Sequence, residues 1–329
     1  MVGGGSYVLS LPKEWIRMAN IKKNDSLGVF LQPDGTLSIS PRLSEEKHIQ
    51  MKNFDVDAIK DPRFLFRCLI GTYIVGCTTI IITSSARLSP AVRKIVRDFT
   101  QMTIGQEIVE ETDTMIVLKD LLNPIEMPFN NSIKRMYVII KTIFQDAILA
   151  LQTKNRSLFE DIINRDNEVD RLQWLISRQY NLLLKDLDLS KKMGVPVNKA
   201  LIYLIISRLL ERIADHGVRI AHHAPTLIDH RIDVKIIDDL KSATEIAIHI
   251  LDSSMQAFFS GNLRKANITI ESVEKLEMVS DAINALALQK RGAIALSVGY
   301  ITESIRRTGE YGADISETVI NELIEESSE

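Results

Sequence analysis

Two cysteines in 329 residues, Cys68 and Cys77, are too few for a disulfide framework, and they lie in an apolar segment at no metal-ligand spacing. A reduced, cytoplasmic protein is expected. Long hydrophobic runs are missing as well: the longest, around Leu201 to Ile206 and Gly292 to Val298, fall short of the roughly 18 residues a bilayer span needs. With no signal peptide in view, the chain reads as soluble. Charge of one sign is also lacking. Lys and Arg number 40 against 43 Asp and Glu, a formal −3, so any nucleic-acid or membrane surface must be local. Finally, there is no Gly-rich phosphate loop, GxSxG elbow or workable Cys/His pair. The Glu-x-x-His motif of di-iron bundle oxidoreductases is absent from the C-terminal region, where Glu245 and His249 are four apart, and Glu45 with His48 falls in a charged linker. Enzymatic function is therefore rejected, and no catalytic residue is assigned.

What is present falls into segments. Residues 1–43 form one unit: a short strand at Tyr7 to Leu11, Pro12 opening a helix over PKEWIRMAN, a polar Lys22-Lys23-Asn24-Asp25 turn, and strands at Leu27 to Leu31 and Thr36 to Ser40 joined by Pro33-Asp34-Gly35. So few residues cannot bury an independent core, which predicts completion by a second copy or another domain. A charged linker spans Arg42 to His48. Residues 44–125 hold a small α/β module: a helix from Pro62 to Val75, a strand from Thr78 to Thr83, an amphipathic helix from Pro90, and a hairpin around Glu107 to Val109 and Met115 to Leu118. NPIEMP then punctuates the chain. Residues 126–329 are almost wholly helical, with breaks near Asn155, Gly194-Val195-Pro196, His223 to Ile228, Gly261 and Gly292, giving six helices. Weak self-similarity pairs DIINRDNEVDRL with VEKLEMVSDAIN and LERIADHGVRIAH with IRRTGEYGADISE, which divides the region into halves at 126–224 and 225–329. The fold class is mainly α: tandem three-helix bundles preceded by a small β-rich hairpin domain and an α/β module.

Within the bundles, Glu211 and Asp215 are one helical turn apart, and so are Asp166 and Asp170 upstream. Like charges at this spacing repel by roughly 0.2–0.5 kcal/mol, so each pair needs cationic partners or a shared cation. Oxygen donors of this kind suit hard or borderline metals. A stripe of Ile202, Ile205, Leu209, Ile213 and Ile220 is expected to be buried, placing Glu211 and Asp215 on the opposite, water-facing side, where Arg208, Arg212 and Arg219 offer salt-bridge partners. His216 adjoins the pair and reads as a surface or capping residue before a ligand. His222, His223 and His230, with Pro225 and Asp229, read as an ordinary polar loop in preference to a zinc site.

At these residues the chain resembles the PhoU family, whose signature is a carboxylate-xxx-Asp pair on two neighbouring helices of a three-helix bundle. The second pair is written there much like Leu210-Glu211-Arg212-Ile213-Ala214-Asp215-His216 here. The resemblance implies a metal ion or small cluster, iron or zinc first with magnesium or calcium as alternatives, held by Asp166, Asp170, Glu211 and Asp215. In the second half it implies Glu277, Asp281 and Glu310. There Arg306 stands where the first half has Glu211, so a salt-bridged face competes with a second metal site.

The amino-terminal order, SYVLSLPKEW followed by KKND and a PDG hairpin, resembles the AbrB or SpoVT-type swapped-hairpin domain, which binds DNA as an intertwined dimer. Family members carry a basic strand ahead of the Gly-rich turn, whereas this chain begins almost at Gly3. Taken together, the resemblances imply a homodimeric transcriptional regulator of phosphate uptake that touches DNA through Lys13, Arg17, Lys22 and Lys23 and contacts a phosphate transporter or sensor. The alternative is an adaptor acting through protein contacts alone, with the N-terminal unit as a dimerisation device.

Overall fold

The computed structural model describes residues 7–31, 35–41, 50–59, 61–230, 232–290 and 292–326. The chain divides into two compact units, Met1–Ile49 and Gln50–Glu329.

In the first unit Pro12 sits at the N-cap of α1 (Lys13–Met18), its ring presetting the entry angle. No residue of this helix is buried. The polar turn closes where the Lys22 backbone N–H donates to Asp25 Oδ2 at 2.7 Å and Asn24 takes a left-handed φ of 76°. β1 (Gly28–Leu31) and β2 (Leu37–Ser40) form an antiparallel hairpin with Val29 opposite Ile39. Pro33, Asp34 and the Arg42 to His48 linker lie outside the described residues. One expectation fails here: Tyr7 to Leu11 form no strand, because among the described residues no neighbouring strand offers them a ladder, and Tyr7 and Val8 stand fully exposed. Met18, Val29, Leu31 and Leu37 are exposed too.

The second unit opens with the α/β module. Its elements are β3 (Met51–Asp55), α2 (Pro62–Ile74), β4 (Thr79–Thr83), α3 (Pro90–Met102), β5 (Gln106–Glu111) and β6 (Met115–Asp120). The sheet order is β3-β4-β6-β5, with β3 parallel to β4 and the other pairs antiparallel. Both helices begin as their sequences direct: Asp61 accepts from the Arg63 N–H, Ser89 accepts from the Val92 N–H, and each has proline in the first turn. Leu65, Leu69, Tyr73, Ile80, Ile82, Val96, Phe99 and Leu118 fill the core between helices and sheet. β3 was not anticipated. It is an edge strand of sequence MKNFD in which every residue but Phe54 is exposed, so it carries almost no hydrophobic alternation.

The helical region contains α4 (Phe129–Thr153), α5 (Ser157–Leu183), α6 (Leu187–Met193), α7 (Val197–Asp229), α8 (Val234–Ser260), α9 (Leu263–Glu271), α10 (Val273–Ala287) and α11 (Ala293–Glu326). Among the described residues that is eight helices where breaks in the pattern suggested six, because α6 and α9 are short pieces between long ones. The expected break at His223 to Ile228 does not exist. α7 continues through Pro225 to Asp229, giving up one backbone hydrogen bond there, since tight packing of Ala221, Ala224 and Leu227 holds it helical. α4, α5 and α7 form one three-helix bundle, and α8, α9–α10 and α11 a second, around one continuous core. The two are joined across α4 and α8, where Tyr137 and Lys141 donate to Asp252 at 2.6 and 2.7 Å.

The internal repeat is visible in the packing. A Cβ added to Gly217 of α7 would lie 2.3 Å from Ile143 of α4, and one added to the matching Gly312 of α11 would lie 2.9 Å from Ile250 of α8. Each glycine is what lets the third helix of its half approach the first. The α/β module is fastened to the bundle by Arg178 of α5, which is 2% exposed. Its guanidinium donates to the Tyr73 carbonyl at 2.5 Å and the Cys77 carbonyl at 2.9 Å, pairs with Asp120, and lies 4.9 Å from the centre of the Tyr73 ring. Among the described residues no helix is long and apolar enough to cross a membrane.

Candidate metal centre

On α5 the buried stripe runs through Ile162, Val169, Gln173 and Ile176. Asp166 lies in the same row, four residues after Ile162 and three before Val169, so the helix carries it toward the neighbouring helix. Asp170 follows one turn later. On α7 the buried face is Ile206, Ser207, Leu210, Ile213, Ala214, Gly217 and Ala221. This corrects the expected stripe: Ile213 and Ile220 are buried, but Ile205 is exposed and Ile202 and Leu209 are only half-buried. Ile206, Leu210, Ile213 and Ile220, together with the small residues Ser207, Ala214, Gly217 and Ala221, set the phase of the helix. Glu211 and Asp215 therefore border the contact with α5 instead of lying opposite the core.

α5 and α7 thus bring Asp166, Asp170, Glu211 and Asp215 into mutual electrostatic range. Burial first, then Asp215 and Glu211, push the Asp166 carboxyl up to about 6. Burial first, then Asp166, Glu211 and Asp215, push Asp170 up to about 7. Glu211 is raised by burial and by Asp215 against the pull of Arg212 and Arg208, and Asp215 by burial against Arg219 and Arg212.

The expected salt bridges do not form. Among the described residues none of the four acids makes an ion pair with Arg208, Arg212 or Arg219, and Arg212 engages the Tyr311 hydroxyl instead. Arg165, next to Asp166, turns away to Asp146 and Asp161 at 2.6 and 2.9 Å. Asp166 Oδ1 is buried with no hydrogen-bond partner. A charge-dense oxygen set with an orphaned buried oxygen fits a hard or borderline cation. Among the described residues no three His, Cys, Asp or Glu side chains already stand in ligating geometry, so the carboxylates must turn inward to share one ion.

His216 is neither a surface nor a capping residue. It is buried on the side of α7 that faces α11, its ring 5.8 Å from that of Tyr311, and its Nδ1 has no partner. Burial, then the positive charge of Arg219, holds it down to about 4, so it stays neutral. His216 and Tyr311 occupy matching positions of the repeat, so the two halves meet there. His222 and His223 are helical, His223 stacking on Tyr300 at 4.4 Å, and His230 Nδ1 lies 2.9 Å from the Thr226 carbonyl.

The second half is built differently. Glu303 receives Arg306 and Arg307 at 2.9 Å from each Nε, while Glu310 pairs with Arg306 and with Arg307 Nη1 at 3.0 Å. Both carboxylates are taken by guanidinium groups. Glu277 and Asp281 stand exposed on α10. Glu310 is thus occupied by Arg306 and Arg307, while no ion pair of Glu277 or Asp281 is seen among the described residues.

In the first unit, Lys13 and Arg17 lie on α1 and Lys22 and Lys23 in the turn after it, all exposed.

Residues 133–224 match the PhoU domain family, a range that contains α5, the acidic part of α7 and all four first-half carboxylates. The chain carries a PhoU domain. Residues 1–47 match the family described as antidote-toxin recognition MazE, bacterial antitoxin. Over 200 residues the chain is 20% identical to the phosphate-specific transport system accessory protein PhoU homolog 1 of Thermotoga maritima, covering 58% of this chain and 83% of that one. The fold is similar to crystal structures of PhoU from Pseudomonas aeruginosa and of the phosphate transport system regulatory protein PhoU from Streptococcus pneumoniae. The first has a TM-score of 0.52 at 15% identity and covers 60% of this chain and 95% of that one. The second has a TM-score of 0.50 at 19% identity over 58% and 91%. The residues matched by the PhoU family model run from α4 through α5 and α6 into α7.

Proposed function

We propose that this protein regulates phosphate transport, in the manner that the names of its PhoU relatives describe, and that its first PhoU half holds a metal ion through Asp166, Asp170, Glu211 and Asp215. The observation that carries the metal reading is that these four acids lie together without a salt bridge, although three arginines share α7 with two of them. Leaving such acids unpaired is costly, and a cation shared between them removes the cost. Iron or zinc is the ion the PhoU resemblance implies, with magnesium or calcium as the alternatives an all-oxygen donor set favours. When bound, the ion supplies positive charge that clamps α5 to α7. The residues themselves do no chemistry on a substrate, and the protein acts through contacts, not catalysis.

The N-terminal unit is read as the dimerising and DNA-contacting part. Its exposed Tyr7, Val8, Met18, Val29, Leu31 and Leu37 need a covering surface, which a second copy supplies by intertwined hairpins. Lys13, Arg17, Lys22 and Lys23 then face nucleic-acid phosphates from both copies. The alternative, an adaptor regulating a phosphate transporter or sensor by protein contact in the cytoplasm, keeps the same dimer and leaves those four side chains solvated.

Elemental analysis of protein purified without chelator tests the metal reading. The wild type should retain metal, and Glu211→Ala with Asp215→Ala should lose it while the circular dichroism spectrum is unchanged. Equal metal in the double variant would remove the assignment.

A further inference from the structure

Internal repetition gives this chain its own control on the carboxylate centre. Arg212 of α7 and Arg307 of α11 occupy matching positions of the two halves, as do Asp215 and Glu310, so each arginine stands three residues before its acid on one helical face. In the second half the arginine takes the acid: Arg307 Nη1 lies 3.0 Å from Glu310 Oε2, and its Nε donates to Glu303 at 2.9 Å. In the first half it does not. Arg208 stands where the second half has Glu303, so Asp215 is the acid that α7 itself offers Arg212 at this spacing. Among the described residues Arg212 nevertheless pairs with neither Asp215 nor Glu211, although both lie in its electrostatic range. Its guanidinium crosses to α11 and donates to the Tyr311 hydroxyl. The ring of Tyr311 stands 5.8 Å from that of His216, the residue one turn after Arg212 on the same face of α7. His216 is also the residue that matches Tyr311 in the repeat, and its buried imidazole has no hydroxyl with which to hold Arg307 in the same way.

We propose that Tyr311 is a positioning residue of the first-half metal centre: by holding Arg212 against α11, it keeps that guanidinium from closing on Asp215 and leaves the acids open to a cation. On the metal reading given above for Asp166, Asp170, Glu211 and Asp215, on which this role rests, the affinity of the first half then depends on the second. An arginine released onto Asp215 neutralises a ligand and repels an incoming cation, just as Arg306 and Arg307 occupy Glu310. By linkage, a cation at the acids and the hydrogen bond from Arg212 to Tyr311 strengthen each other, so occupancy of the centre tightens the seam between α7 and α11.

Calorimetric titration of zinc into the chelator-stripped full chain tests this in the wild type, Tyr311→Phe, Arg212→Gln and the two substitutions together. Tyr311→Phe removes one hydroxyl from a half-buried ring, so the fold should survive. It should weaken zinc binding about fivefold, the worth of a part-exposed ion pair, and adding Arg212→Gln should restore the wild-type affinity. A loss of packing at Tyr311 would not be rescued in this way. A second measurement needs no metal. In urea unfolding of the stripped protein, the effects of Arg212→Gln and Asp215→Asn should be close to additive in the wild-type background and coupled in the Tyr311→Phe background, where the two side chains meet. Zinc affinity of Tyr311→Phe equal to that of the wild type, or left unrescued by Arg212→Gln, overturns the proposal, and so does additivity in both backgrounds. If the wild type takes up no zinc, the metal reading fails instead, and the urea measurement alone decides whether Tyr311 diverts Arg212.

Discussion

Asp166 shows what the residue scale adds to a reading of spacing. The two acid pairs were legible as i, i+4 repeats, because helical periodicity alone places them on one face. The half-burial of Asp166, Asp170 and Glu211 was not, since it depends on which side of α7 packs against α5; Asp215 stays exposed, as its spacing suggested. Gly217 permits close approach of α7 to Ile143 of α4, which with the buried Ala214 and Ala221 turns that side of α7 inward, while Ile205 is left outside. A direct consequence concerns metal-free protein. Asp166 and Asp170 are held above the ordinary carboxylate value of 3.8, at about 6 and about 7, so the folded state binds more protons than the unfolded one between those limits. Stability of chelator-treated protein should then fall as pH rises from 4 to 7, the window these two groups define. Asp170→Asn should flatten that slope and raise the melting temperature of the metal-free form, as thermal denaturation over this range would show. A melting temperature that climbs with pH in the same window would contradict it. Gly217→Ala is the complementary case: with its Cβ 2.3 Å from Ile143, overpacking should destabilise the fold by about 1–3 kcal/mol in urea titrations.

At the scale of elements, the helices with caps and proline starts were readable in advance, as were β4 and the hairpin of β5 and β6. The misses share a cause: tertiary contacts override local signals. β3 is a polar edge strand that exists because β4 offers it a ladder, and α7 passes through Pro225 because its neighbours hold it helical. Arg178 was equally invisible, since its partners on α2, the following turn and β6 are about 60 to 105 residues away in sequence. Its substitution by alanine leaves Asp120 without its cation in a nearly dry interface and frees the Tyr73 and Cys77 carbonyls. A loss of about 3–5 kcal/mol is predicted, with hydrogen exchange rising first in α2 and β6. An unchanged unfolding midpoint would mean that the module is held to the bundle by other contacts.

At the scale of the whole molecule, two sequence families are joined in one chain, and each half of the functional proposal has its own part to test. Removing residues 1–49 should weaken self-association in light scattering, whereas an unchanged mass and concentration dependence would place the dimer contact in the helical region. If DNA is bound, affinity should fall with salt at a log-log slope of about −3 to −4, and Lys22→Glu with Lys23→Glu should abolish it without touching metal content. Repetition was the most legible large-scale feature, yet the halves have diverged in chemistry. The first keeps four acids without an internal cation, and the second carries Arg306 and Arg307 against Glu303 and Glu310.

That asymmetry is the central claim, and metal titration of chelator-stripped protein tests it most directly. Three proteins should be compared: the wild type, Asp166→Asn with Asp170→Asn, and Glu277→Gln with Asp281→Asn. Binding should vanish in the first double variant and remain at wild-type affinity and stoichiometry in the second. Wild-type binding by the first variant, or loss of binding in the second, would contradict the assignment of the centre to α5 and α7.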